Sequence, residues 1–180
     1  MYGKEAVSFP AAETNIPAVM AQLLIVYHSR TGGTRQMAEA AFAAASEEAD
    51  TVLKRAEDTM PEDLLAAGGY LFAAPENLAA LSGAMKEFFD RCYYPVLGRI
   101  EGRPYALMIC AGSDGEGAAR QAARIAKGWR LREVQPPLIV NTSAQTPEEI
   151  LAEKTIPEAE LEKCRELGAA LGAGLKMGVF

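Results

Sequence analysis

The chain has 180 residues, 49% apolar and 23% charged, which is the composition of an ordinary folded domain and excludes a disordered or fibrous chain. Lys and Arg number 18 against 24 Asp and Glu, so the net charge is −6, a poor balance for a nucleic-acid partner, and no apolar run approaches the ~18 residues of a membrane span. Three widely spaced cysteines (Cys92, Cys110, Cys164) and one histidine (His28) supply neither a disulfide framework nor a metal-ligand set, and the expected compartment is the reducing cytoplasm.

Residues 1–19 are interrupted by Glu5 and Glu13, do not read as a signal peptide, and are taken as an N-terminal extension to a domain spanning residues 20–180. Leu23 to Tyr27 is short, apolar and β-branched, as expected of a strand buried on both faces. A polar turn, His28 to Thr34, leads to a helix with Met37, Ala38, Ala41, Phe42 and Ala45 on one side. Thr51 to Arg55 reads as a second strand. Thr59-Met-Pro-Glu62 reads as a capping box for a short helix that Gly68-Gly69 ends. Tyr70 to Ala74 is the third strand, followed by a helix from about Ser82 with Met85, Phe88, Phe89 and Cys92 inward. Tyr105 to Cys110 is the fourth strand, and the helix after it buries Ala118, Ala122, Ile125 and Ala126. Pro136-Pro137 permits only an edge or a strand start, so Leu138 to Val140 is the fifth strand. Thr155-Ile-Pro-Glu158 reads as a second capping box, opening a last helix with Leu161, Cys164, Leu167, Leu171 and Leu175 inward.

Five apolar strands alternating with helices predict an α/β fold with a doubly wound parallel sheet. In such sheets ligands bind outside the carboxyl ends of the strands. The turn after the first strand is the most informative. Ser29, Thr31 and Thr34 offer three hydroxyls within six residues, Gly32 and Gly33 let the backbone approach a ligand, and the next helix aims its amino end there. That combination suits a phosphate dianion, yet it lacks the lysine of a P-loop and the glycine spacing of a dinucleotide fingerprint.

Ser29-Arg-Thr-Gly-Gly-Thr34 resembles the [ST]-x-T-G-x-T phosphate loop of the flavodoxin-like flavoproteins. Ala74-Pro-Glu-Asn77 followed by Ser82-Gly-Ala-Met-Lys-Glu-Phe-Phe-Asp90 is similar to the third-strand loop and helix of flavodoxin-fold NAD(P)H-dependent reductases. Ala111-Gly-Ser-Asp-Gly115 occupies the position of that family's third flavin loop, and the resemblance covers about residues 22–175. It implies strand order 2-1-3-4-5 and an FMN site. Ser29, Arg30, Thr31, Gly32, Gly33 and Thr34 would hold the phosphate; Pro75, Glu76, Asn77, Ser82 and Gly83 would edge the ring; Ala111, Gly112, Ser113, Asp114 and Gly115 would close the other side. Flavin carries the redox chemistry itself, which accounts for the lack of an obvious acid–base constellation.

The departures from the family pattern set the expected activity. The usual Asn of the loop is Gly33, Arg30 and Arg35 add positive charge, and no aromatic residue lies between Ala73 and Leu81 to shield a ring. The expectation is an FMN reductase passing electrons from NAD(P)H to a quinone-like or other small acceptor; the alternative is an electron carrier without its own turnover. Tyr93-Tyr94-Pro95 beyond the third helix suits a homodimer or larger assembly. A serine hydrolase on Ser113 would need His28 before the nucleophile, against the usual order, and a phosphatase on Cys110 lacks its arginine, since residue 116 is Glu.

Overall fold

The computed structural model describes residues 22–180, and the extension over residues 1–19 lies outside the described residues. The first half runs β1 (Leu23–Tyr27), α1 (Gly33–Glu48), β2 (Thr51–Arg55), a 3-10 turn (Ala56–Asp58), α2 (Pro61–Ala66), β3 (Gly69–Asn77), β4 (Ala80–Leu81) and α3 (Gly83–Val96). The second half runs β5 (Pro104–Ala111), α4 (Glu116–Gly128), β6 (Arg132–Glu133), β7 (Leu138–Asn141), α5 (Pro147–Leu151) and α6 (Glu158–Met177).

β1 lies between β2 and β3, and β3 pairs with β5, all in parallel. The outer edge of β5 is shared: β6 pairs with its first residues and β7 with its last four. The order β2-β1-β3-β5-β7 is the flavodoxin-like 2-1-3-4-5 order. The sheet has seven strands rather than five, because the fifth position is split around Pro136-Pro137 and because β4 folds back antiparallel on the end of β3. A proline offers no ladder donor, so the chain leaves β5 after β6 and rejoins it at Leu138.

The unbroken apolar runs are explained by helices on both faces. Leu23 and Ile25, with Leu71, Ala73, Ala106 and Met108, pack under α1 and α6. Leu24 and Val26, with Tyr70, Phe72, Leu107 and Ile109, pack under α2, α3 and α4. The second layer is anchored by Phe72, Phe88, Phe89 and Trp129, whose ring centroids are 5.1 to 6.5 Å apart. In the first, Gly168 lets α6 lie directly against the Ala41 carbonyl of α1. No helix among the described residues is long and apolar enough to cross a membrane.

Both expected capping boxes are displaced. The Thr59 hydroxyl is buried and donates to the Arg55 carbonyl, so the cap of α2 shifts to Met60, whose N–H donates to Asp63 Oδ2 at 2.8 Å. Thr155 does not cap α6, which begins after Pro157, because the preceding backbone is extended and bonded to α1. The reciprocal box instead lies at Thr146 and Glu149, where it opens α5: Thr146 Oγ1 accepts from the Glu149 N–H at 3.2 Å and Glu149 Oε2 accepts from the Thr146 N–H at 3.1 Å.

Candidate functional site

At the carboxyl end of the sheet, the turn after β1 is shaped by Gly32, which caps α1 with φ +86°, a left-handed conformation that suits glycine. The first amide bonded back along the helix is that of Gln36, to the Gly32 carbonyl, so the amides of Gly33, Thr34 and Arg35 have no acceptor within α1. Ser29 Oγ is buried and has no hydrogen-bond partner among the described residues. A buried hydroxyl left in this state costs roughly 1–3 kcal/mol. Thr34 is buried beside the Cys110 thiol.

Gly33 is explained by its surroundings. A Cβ at this position would stand 2.8 Å from Cys110 Sγ and 3.3 Å from both Lys154 Cβ and Ile156 Cδ1, leaving no room for the Asn of the resembling loop. The residues on the far side belong to a strap between α5 and α6. The Lys154 N–H donates to the Thr31 carbonyl at 2.8 Å, Gln36 Nε2 donates to the Lys154 carbonyl at 2.6 Å, and the Ile156 N–H donates to Gln36 Oε1 at 3.1 Å.

Two adjoining clefts open here. The first gathers Ser29, Arg30, Thr31 and Thr34 from the β1 loop and the start of α1, Pro75, Glu76 and Asn77 from β3, and Ala111 and Gly112 from the end of β5. Cys110, Thr142, Ala144, Ile150 and Lys154 complete its walls. These five were not among the sequence candidates. The second cleft shares Ser29, Arg30 and Thr31 and adds Gly32, Tyr27, Arg35, Arg55, Leu151 and Glu153.

Six sequence candidates line neither cleft, Gly33 among them, packed against Cys110, Lys154 and Ile156. Ser82 is fully buried, with its hydroxyl hydrogen-bonded to His28 Nδ1 at 2.8 Å and its N–H bonded to the Pro75 carbonyl. Gly83 starts α3 in open space. Ser113 and Asp114 are exposed, and Gly115 is buried at the start of α4, where a Cβ would meet Ile139. Glu76 lines the first cleft, but its carboxylate is engaged elsewhere. It accepts from the Gly115 N–H at 2.7 Å and the Ala118 N–H at 3.2 Å, capping α4 from another loop.

Burial opposes charge on two groups at this end of the sheet, the Cys110 thiol and the His28 imidazole. Burial pushes the Cys110 thiol up, against the opposing effects of Thr34 and Lys154. Burial also lowers the pKa of His28; Glu57 opposes that shift, while Arg55 and Arg30 add to it. A neutral thiol and a neutral imidazole fit binding and positioning better than nucleophilic attack.

A doubly wound parallel sheet in this strand order, with a glycine-capped turn after β1 at its carboxyl end, defines a flavodoxin-like fold. Residues 54–144, half of the chain, match the family described as NADPH-dependent FMN reductase, and the chain belongs to that family. The match includes the β3 and β5 loops, while the Ser29–Thr34 turn precedes it. A flavodoxin of Aquifex aeolicus (strain VF5) is 34% identical over 100 residues, 54% of each chain, so the chain matches about half the length of this curated relative. The fold is similar to a solved flavodoxin from the domain Archaea (TM-score 0.70, 18% identity, covering 86% of this chain and 99% of the other). It is also similar to a flavodoxin, WrbA-like protein from Agrobacterium tumefaciens (TM-score 0.69, 18% identity, covering 87% and 98%).

Proposed function

We propose that this chain binds FMN across the carboxyl ends of β1, β3 and β5 and passes electrons from NAD(P)H to a quinone-like or other small acceptor. The observation that carries the reading is Ser29 Oγ, buried and unpartnered beside the free amides of α1. A phosphate dianion supplies the missing partner, and hydrogen bonds to a charged group contribute about 1.5–3 kcal/mol each. In this reading the Ser29, Thr31 and Thr34 hydroxyls and the Gly32 to Thr34 backbone hold the phosphate. The Pro75 to Asn77 and Ala111–Gly112 backbone would border the ring. The carboxylate of Glu76, held on α4, would keep negative charge off that border. Bound FMN would supply the two-electron chemistry. The chain's part is to bind it, orient it and leave one face uncovered, since residues 74–80 hold no aromatic side chain.

An electron carrier is the second reading, favoured by the flavodoxin relative. One set of measurements addresses both. Ser29→Ala should weaken FMN binding about ten- to a hundredfold in a fluorescence titration, yet leave the ligand-free chain as stable as before or more so, because the hydroxyl it removes has no partner. Unchanged affinity overturns the phosphate assignment. Stopped-flow mixing of the FMN-loaded protein with NADH or NADPH should bleach the flavin without a partner reductase; no bleaching with either nucleotide assigns the carrier instead.

A further inference from the structure

The second cleft runs from the β1 loop away from β3 and β5, and its lining is distinctive. Arg55 ends β2 directly beside Tyr27 at the end of β1, since the two are register partners. Arg30 comes from the phosphate loop and Arg35 from the first turn of α1, so three guanidiniums from three elements border one cleft. Their existing partners lie at the surface: Arg35 is 3.9 Å from Glu39, Arg55 donates to Glu57 Oε1 at 3.1 Å, all four side chains being well exposed, and Arg30 joins no ion pair among the described residues. Tyr27 and Leu151 add an aromatic and an apolar surface to the same walls. Guanidinium forks match phosphate oxygens, and aromatic, apolar and guanidinium faces accept a flat base. The cleft is continuous with the first through Ser29, Arg30 and Thr31. A group entering it would be joined to, or lie against, whatever phosphate those residues hold. One carboxylate, Glu153, opposes it from the strap.

We propose that this cleft is a subsite for the adenosine-pyrophosphate half of a dinucleotide. The proposal rests on the reading of Ser29 to Thr34 as a flavin phosphate loop. The shared chemistry, a phosphate-linked adenosine, has two sources: the adenylate half of flavin adenine dinucleotide or that of the nicotinamide dinucleotide.

Calorimetric titration of the full chain with ADP, FMN and FAD tests it, using Arg35→Gln/Arg55→Gln and Glu153→Gln beside the unaltered protein. ADP should bind the unaltered chain about tenfold or more tighter than the double variant, and tighter still to Glu153→Gln. FMN affinity should change by less than about threefold in the same variants, which also shows that they fold. FAD binding about tenfold tighter than FMN assigns the subsite to the flavin; equal binding of the two flavins, with ADP displaced by NADPH, assigns it to the nicotinamide dinucleotide. No ADP binding, equal ADP binding in all three proteins, or a parallel loss of ADP and FMN overturns the subsite. Loss of FMN binding alone, with ADP binding intact, overturns the flavin reading and leaves this one standing.

Discussion

His28 is the chain's one histidine and sits between charged neighbours at the end of β1. Burial disfavours its imidazolium, Glu57 partly compensates, and Arg55 and Arg30 add to the penalty, so its native pKa lies below the ordinary 6.5. The unfolded chain therefore takes up this proton first as the solution is acidified. The contribution to stability is complete above about pH 6.5 and is lost as pH falls through the lowered native value. Native NMR titration should show one imidazole resonance with a midpoint under 6.5. Denaturant unfolding should show an acid-side loss of stability that is smaller in His28→Gln. A midpoint at or above 6.5 contradicts the desolvated placement. The same residue explains why Ser82, a sequence candidate, is not in the cleft: its hydroxyl is taken by the imidazole.

Among the elements, the β3–β4 hairpin carries backbone strain. Leu78 and Ala79 both have positive φ, +51° and +59°, and Leu78 is fully exposed. Such residues in the left-handed region cost roughly 1–2 kcal/mol each, and the turn persists because its flanks are fastened. Glu76 bonds to the start of α4, the Leu81 N–H donates to Gln121 Oε1 at 2.8 Å, and the Ala79 carbonyl packs on the backbone of Gly117. Replacing Leu78-Ala79 by Asn-Gly should stabilise the chain by roughly 1–2 kcal/mol, read as a higher denaturant midpoint with unchanged slope. A lower midpoint contradicts the strain. This element also marks the limit of sequence reading. β1 is legible to the residue, because a strand buried on both faces advertises itself as an apolar run; β2, half-buried and ending in Lys54-Arg55, has the expected bounds without that signal. β4 is not, because its turn contains no glycine or asparagine and its geometry is imposed by α4. At the site, the Ser29–Thr34 turn was legible from its hydroxyls and glycines. The strap was not, since Gln36 and Lys154 are 118 residues apart and nothing local in either announces the other. The true capping box at Thr146-Pro-Glu-Glu149 had a readable signal; the two expected boxes had the same signal without the geometry.

At the scale of the whole molecule, the Tyr93–Tyr94 step separates into two roles. Tyr93 stacks on Trp129 with centroids 5.8 Å apart and belongs to the core, while Tyr94 is 79% exposed and Leu97 45%. We propose a homodimer or larger assembly meeting around α3 through these exposed side chains. Light scattering at micromolar concentration should give at least twice the chain mass, and Tyr94→Asp should shift it toward the monomer; monomer mass throughout contradicts the assembly. The strap has a reach of its own. Because Lys154 and Ile156 are bonded to Thr31 and Gln36, the loop proposed to receive phosphate is tethered to the segment that leads into α6. Local opening at one end of the chain must therefore loosen the other. Adding FMN should slow hydrogen exchange at the Lys154 and Ile156 amides as well as in the first turn of α1, and should delay proteolytic release of the C-terminal helix, a segment the ligand never touches.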